Sequence, residues 1–275
     1  MFLIIIIFDL IIGIITSIFS FQLNIYIEIL IGIGFSLGLL LFEAFIFFLI
    51  VILFSLPINK NKRYKYSKIY EKLFRAYEKF ALKLFNTKII IKGMDLIPKD
   101  NYIIVSNHRS NLDSFVIDTI LKKDKLIFAA KKSLFNIPWF GKIIWKNNYL
   151  YITRTNPKTD IKELNYGISL VNDESYSIGI FPEGKRNFEN DLVLPFSKGY
   201  QLLLNKTNKP LVIVALKGTS DIKNNLFFKK HIVIFEVLEV LNYEKYNSMT
   251  KDELDDYVMN LMIYNLKQKW FNIEV

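Results

Sequence analysis

Only two histidines occur in the 275 residues, His108 and His231, and the first is followed five positions later by a carboxylate, Asp113. The strand-like run Tyr102 to Ser106 precedes His108, and Asp113 falls where the next helix should begin. Side chains five apart on a straight helix diverge, but a strand-to-helix turn can fold the carboxylate back onto the imidazole and set its tautomer. Such a pair is a general base with its orienter. Histidine, with an ordinary pKa near 6.5, is mostly neutral at pH 7 and can take a proton from a hydroxyl as that oxygen attacks a carbonyl. Asp113 would stabilise the imidazolium. The spacing alone is a weak signal, and Asp113 also fits a plain helix N-cap; it can serve as both.

A second group lies in Phe181-Pro182-Glu183-Gly184-Lys185-Arg186-Asn187, directly after the strand-like Ser177 to Ile180. Loops at the carboxyl ends of strands are where α/β folds place ligands. Gly184 permits close backbone approach, Arg186 offers a planar fork of donors suited to phosphate, and Lys185 adds a point charge. Further cations close other strand-like runs: Lys131 and Lys132 after Leu126 to Ala130, and Arg154 after Tyr149 to Thr153. Each alone is an ordinary surface charge; convergence on one cleft would make them ligands. With no cysteine and two histidines, thiolate nucleophiles, disulfides and an imidazole-built zinc centre are all disfavoured, and no metal site is expected.

These residues need a scaffold. Short β-branched or aromatic runs near 88–92, 102–106, 126–129, 149–153, 177–181, 211–216 and 231–238 read as strands. Helices are expected at 113–122, 132–146 with a break at Pro138, 158–172, 198–206 and 250–270. The alternation predicts an α/β fold, a mixed sheet flanked by helices.

The N-terminus differs in kind. Residues 1–57 carry Asp9, Glu28 and Glu43 but no Lys or Arg, so the net +10 divides into −3 there and +13 beyond. With about 20 residues per crossing, this stretch holds two membrane helices, expected near 2–22 and 29–56, as a hairpin that spans or dips. It lacks the charged start and cleavage site of a signal peptide, which makes it a retained anchor. Asp9 and Glu43 would be costly at the bilayer centre, which points either to a shallow hairpin or to carboxyls that face the partner helix. Lys60, Lys62, Arg63, Lys65 and Lys68 follow at once, which places the rest of the chain on the cytoplasmic side of the cell membrane. Ser67 to Phe85 has an apolar stripe of Ile69, Leu73, Tyr77, Phe80 and Leu84 against Lys72, Arg75, Lys79 and Lys83; an interfacial helix and one packed on the domain bury the same stripe. The expected organisation is a membrane hairpin at 1–57, a basic amphipathic helix at 58–87 and an α/β domain at 88–275. A basic domain beside an apolar anchor favours a bilayer surface over nucleic acid as partner.

The order Asn107-His108-Arg109-Ser110-Asn111-Leu112-Asp113, Ala130-Lys131-Lys132-Ser133-Leu134-Phe135, Ile152-Thr153-Arg154, then FPEGKR, with Glu183 placed 75 positions after His108, resembles the glycerolipid acyltransferase family. Within it, the bacterial 1-acyl-glycerol-3-phosphate acyltransferases are the most similar. The resemblance spans about Lys88 to Gly218, and it implies the glycerol-3-phosphate acyltransferase-like fold. It implies His108 as base, Asp113 as its partner, and Lys131, Arg154, Glu183, Gly184 and Arg186 around the glycerol phosphate, with Lys185 beside them. Three positions depart: Lys185 and Asn187 stand where the family usually has Thr and Ser, and Ile213 where it usually has Pro.

The expected reaction is transfer of an acyl chain from an acyl thioester to the sn-2 hydroxyl of a lysophospholipid, giving phosphatidic acid. His108 takes the hydroxyl proton and backbone amides hold the oxyanion. Acyl-CoA or acyl carrier protein would serve as co-substrate, and no cofactor is needed. The rival readings are acylation of another acceptor, such as glycerol 3-phosphate or a different lysophospholipid; a serine hydrolase or thioesterase using Ser106 or Ser110; and a non-enzymatic basic membrane-surface module.

Overall fold

The structure is a computed structural model that describes residues 25–121, 125–189, 191–197, 199–224 and 230–268. The chain divides into two compact units, residues 1–58 and 59–275. In the first unit the described element is helix α1 (Ile25–Ser55). Its segment Ile29–Ser55, 27 residues with hydropathy 2.9, is long and apolar enough to cross a membrane. Side chains such as Leu30, Phe42 and Phe45 are exposed around it, the pattern of a helix whose whole surface is apolar. The other expected helix, near 2–22, lies outside the described residues, as does Asp9.

The second unit opens with helix α2 (Lys68–Leu84) and continues through a seven-stranded sheet. Its strands are β1 (Thr87–Lys92), β2 (Ile103–Ser106), β3 (Leu126–Lys131), β4 (Leu150–Ile152), β5 (Ser177–Ile180), β6 (Leu211–Lys217) and β7 (His231–Leu241), in the spatial order β1-β7-β6-β2-β5-β3-β4. From β6 to β4 every pairing is parallel, whereas β7 runs antiparallel to β6 and β1 is parallel to β7. The sheet is therefore mixed. Its central strands are continuous apolar runs because both faces are covered: Ile103–Ser106 and Ser177–Ile180 are buried at every position.

The connecting helices are α3 (Asp113–Ile120), α4 (Lys132–Phe135), α5 (Phe140–Lys146), α6 (Pro157–Glu174), α7 (Gly199–Thr207), α8 (Tyr243–Asn247) and α9 (Lys251–Lys267). The segment expected as one helix with a break at Pro138 is two separate helices, α4 and α5, because proline cannot continue the backbone ladder. Asn156 caps α6, accepting from Thr159 N at 3.2 Å, with Pro157 in the first turn. Thr250 and Glu253 close α9 with a capping box.

Two findings modify the expectations for residues 60–85. The basic cluster is partly spent inside the unit. The Arg63 guanidinium lies between the rings of Trp145 and Tyr166, 3.9 and 4.4 Å from their centroids, pairs with Glu163, and donates to Tyr149 O. The Lys60 ammonium donates to Phe135 O, and Trp145 Nε1 donates to Lys62 O at 2.8 Å. Helix α2 buries Phe74, Arg75, Glu78 and Leu82, none of them in the apolar stripe; of the stripe, Tyr77 packs on Phe115, Trp139 and Phe140, Leu73 and Phe80 are half-buried, and Ile69 and Leu84 are exposed. The reason lies in its partners: Phe74 packs edge-on against Phe115 and Tyr149, and Arg75 meets Asp118 of α3 at 3.5 Å.

Candidate functional site

The parallel strands β2, β5, β3 and β4 are neighbours and run the same way, so their carboxyl ends share one edge of the sheet. His108 and Asp113 follow β2, FPEGKR follows β5, Lys131 ends β3, and Arg154 follows β4. Residues 75 and more positions apart are brought together by strand order alone, the arrangement in which open α/β sheets bind ligands.

The turn after β2 closes on one carboxylate. Asp113 is 0 % exposed. Its Oδ2 lies 2.9 Å from His108 Nδ1 and accepts from the amides of Arg109 at 2.7 Å and Ser110 at 2.8 Å. Asp113 is thus not the N-cap of α3, a position held by Leu112; its acceptor is spent on the preceding turn instead of the helix amides. A carboxylate only accepts, so Nδ1 is the donor of this bond, and in the neutral ring the lone pair is then on Nε2. One base position behind the strand, Asn107 latches the turn to the sheet, donating to Leu216 O at 2.9 Å and accepting from Leu216 N at 2.8 Å.

The loop after β5 grips the same histidine. Phe181 stacks on the imidazole, centroids 4.1 Å apart and planes 14° from parallel, and Phe128 stacks on Phe181 in turn. The pile rests on Gly179, where a Cβ would lie 2.2 Å from the Phe128 ring. Glu183 accepts from His108 N at 2.7 Å through one oxygen and from Leu194 N at 3.0 Å through the other. Burial pushes its carboxyl up from the usual range, and the two amides pull it back only in part. Both Glu183 oxygens are therefore taken by the chain itself. Asn187 donates its amide to His108 O at 2.7 Å, and its side chain bonds Asp191 O and Glu189 N, which accounts for an asparagine here. Gly184 turns the loop in the left-handed region at φ 66°.

The cations are distributed unequally. Arg154 and Arg186 are both at the exposed rim; loss of solvent and then the charge of Arg186 push the Arg154 pKa down. Among the described residues neither guanidinium has a carboxylate within salt-bridge distance. Lys185 points instead to Glu189, 3.4 Å away at the surface. Lys131 is exposed at the end of β3, in register with Ile152, two residues before Arg154. Arg154 itself is left-handed, φ 63°, in a turn whose amides are held by Asp160: Thr153 N at 2.7 Å, Arg154 N at 2.8 Å, with the Thr153 hydroxyl also donating at 2.8 Å.

The structure gathers His108, Asp113 and Glu183 into one hydrogen-bonded unit, places Arg154 and Arg186 on the same edge of the sheet, where Arg154 feels the charge of Arg186, and turns Lys185 to Glu189. Sequence reasoning missed Phe181 as the imidazole's stacking partner, Asn107 as its latch, and Asp160. An aromatic immediately before Pro182 and an acid in the first turn of α6 were the available signals. The amides of residues 108, 109 and 110, obvious candidates for an oxyanion, are engaged by Glu183 and Asp113. The hydroxyl of Ser106 is buried and donates to Asn107 O, and that of Ser110 accepts from Leu112 N; among the described hydrogen bonds neither meets the imidazole. Ile213 is buried in β6 opposite Val105, next to a β-bulge, a packing position.

Residues 88–217 match the family described as Acyltransferase. The chain is 28% identical over 184 residues to a 1-acyl-sn-glycerol-3-phosphate acyltransferase of Saccharomyces cerevisiae, covering 65% of this chain and 59% of the relative. It is 31% identical over 193 residues to one of Borreliella burgdorferi, covering 66% of this chain and 76% of the relative. The chain spans about three-fifths of the yeast and Limnanthes relatives it matches, 59% and 61%. Its fold is similar to the crystal structure of the 1-acyl-sn-glycerophosphate acyltransferase PlsC from Thermotoga maritima, with a TM-score of 0.58 at 23% identity, over 74% of this chain and 83% of that one. Both loops that meet at His108 fall inside the matched segment, and the chain belongs to the acyltransferase family of the 1-acyl-sn-glycerol-3-phosphate acyltransferases.

Proposed function

We propose that the protein transfers an acyl chain from an acyl thioester to the sn-2 hydroxyl of 1-acyl-glycerol-3-phosphate, giving phosphatidic acid. The observation that carries this reading is the His108 imidazole, tied at Nδ1 to Asp113, on the sheet edge that also carries Arg154 and Arg186, neither of which has a carboxylate within salt-bridge distance among the described residues. Nε2 takes the hydroxyl proton as the oxygen attacks the thioester carbonyl; the C–S bond then breaks and the thiolate leaves or recovers the proton from the imidazolium. Asp113 stabilises that imidazolium and holds the ring. Arg154 and Arg186 offer charge-assisted donors to the acceptor's phosphate, with Lys131 adjacent. Gly184 lets the 181–187 loop approach the acceptor, Glu183 acts from behind by holding the His108 backbone, and Lys185 contributes charge to the approach.

The acceptor and the product reside in a bilayer while the thioester arrives from water, which fits an N-terminal membrane hairpin with the α/β unit on the cytoplasmic side. The donor is acyl-CoA or the acidic acyl carrier protein, which suits a domain of charge +13. Replacing His108 by Ala, with folding confirmed by thermal unfolding, should lower transfer from acyl-CoA to lysophosphatidic acid in vesicles by about 10²- to 10⁴-fold. Undiminished transfer would end the mechanism. A panel of glycerol 3-phosphate, lysophosphatidic acid and neutral lysophospholipids would then rank the acceptors.

A further inference from the structure

Arg154 holds an uncommon conformation for a side chain with a Cβ, and its surroundings say why. A non-glycine residue at φ 63° persists only where neighbouring groups over-determine it. Here they do: both oxygens of Asp160 are committed to residues 153 and 154, Oδ1 accepting from Thr153 N and its hydroxyl and Oδ2 from Arg154 N. The Thr153 hydroxyl oxygen in turn accepts from the amides of Thr155 and Asn156. Asp160 sits in the first turn of α6, an 18-residue helix whose N-terminus favours a negative charge, so the carboxylate is held from behind as well. The turn presents Arg154 on the sheet edge that also carries Arg186, and the like charge of Arg186 acts against that of Arg154 while Asp160 favours it. A negative group bound by both arginines would offset that repulsion.

We infer that Asp160 is a positioning residue for the acceptor's phosphate: it holds the 153–154 turn in the left-handed conformation that presents Arg154 on the sheet edge shared with His108 and Arg186. The inference rests on the phosphate reading of Arg154 given above. It assigns Asp160 no contact with substrate; its effect passes through Arg154 alone.

The test uses the full-length chain in lipid vesicles, with Asp160→Ala, Arg154→Ala and the double variant, and compares kcat with KM for lysophosphatidic acid and for acyl-CoA. Each single variant should raise KM for lysophosphatidic acid by about tenfold while leaving kcat and KM for acyl-CoA within about twofold, the signature of a lost binding contact. The double variant should be no worse than Arg154→Ala, because both remove one interaction. Asp160→Asn, which keeps the volume but loses one acceptor, supplies the same comparison should the alanine variant not fold. A rise in KM on Arg154→Ala without one on either Asp160 variant, or effects that multiply in the double variant, would overturn the positioning role alone. A merely structural role would lower kcat and thermal stability at constant KM. An unchanged KM on Arg154→Ala would remove the phosphate reading itself and the role of Asp160 with it.

Discussion

Two carboxylates in this molecule are equally deep, and the chain treats them in opposite ways. Asp113 at the start of α3 and Glu78 in the middle of α2 are both 0 % exposed. One Asp113 oxygen collects the His108 imidazole and two backbone amides within 2.9 Å. Glu78 accepts from no fixed donor at either oxygen and faces the Asp118 carboxyl, and its pKa is raised well above the usual carboxylate range, first by burial and then by the charge of Asp118 and a hydrogen bond to it, against which Arg75 pulls the other way. A buried acid surrounded by fixed donors is a component of a site, whereas one without them is held neutral, because leaving water costs the charged form most. In the sequence Asp113 is an acid where a helix begins and Glu78 an acid within one. Only the donors aimed at each distinguish them.

The largest expected effect breaks the first centre. Asp113→Asn keeps the volume but puts a donor where three donors already point, so transfer to lysophosphatidic acid should fall by about 10²-fold or more, measured at saturating acyl-CoA. Next comes the second centre: Arg75→Met would leave Glu71, Glu78 and Asp118 without their cation and should destabilise the α/β unit by about 3–5 kcal/mol, read from denaturant unfolding in detergent. A smaller effect separates orientation from charge. Gly179→Ala would press on the Phe128 ring under the His108 stack and should cost about 1–3 kcal/mol in stability, with loss of transfer beyond the folded fraction lost.

The smallest is a change of slope. The Glu78 pKa is raised on folding, so the stability that depends on its proton is complete below the ordinary carboxylate value of 4.5 and is lost as pH rises through the higher folded value. Glu78→Gln should therefore flatten the decline of the unfolding temperature from acid to alkaline pH while leaving transfer intact. Parallel profiles for parent and variant would assign the slope to another group.

The seven strands lie within a few residues of their expected positions because each is a short β-branched or aromatic run, and in β2, β5 and β6 the burial of both faces is written in that composition. The His108–Asp113 pair was legible for the same reason: five residues of one turn suffice to make it. The face of α2 was not legible. Periodicity selects Ile69, Leu73, Tyr77, Phe80 and Leu84, yet the side chains turned inward are Phe74, Arg75, Glu78 and Leu82, a choice that depends on Asp118 of another helix.

The sequence by itself determined the alternation of strands and helices, the apolar character of residues 25–55, and the identity of the imidazole with its carboxylate, all consequences of neighbours along the chain. Tertiary structure alone decided that Glu183 spends both oxygens on amides of His108 and Leu194, that Phe181 covers the imidazole, and that Asp160 holds the turn of Arg154. It also decided that β7 runs against β6. Hydrogen bonds and ring contacts reward proximity in space, and for residues joined through a sheet that proximity is set by strand order, which no local pattern records.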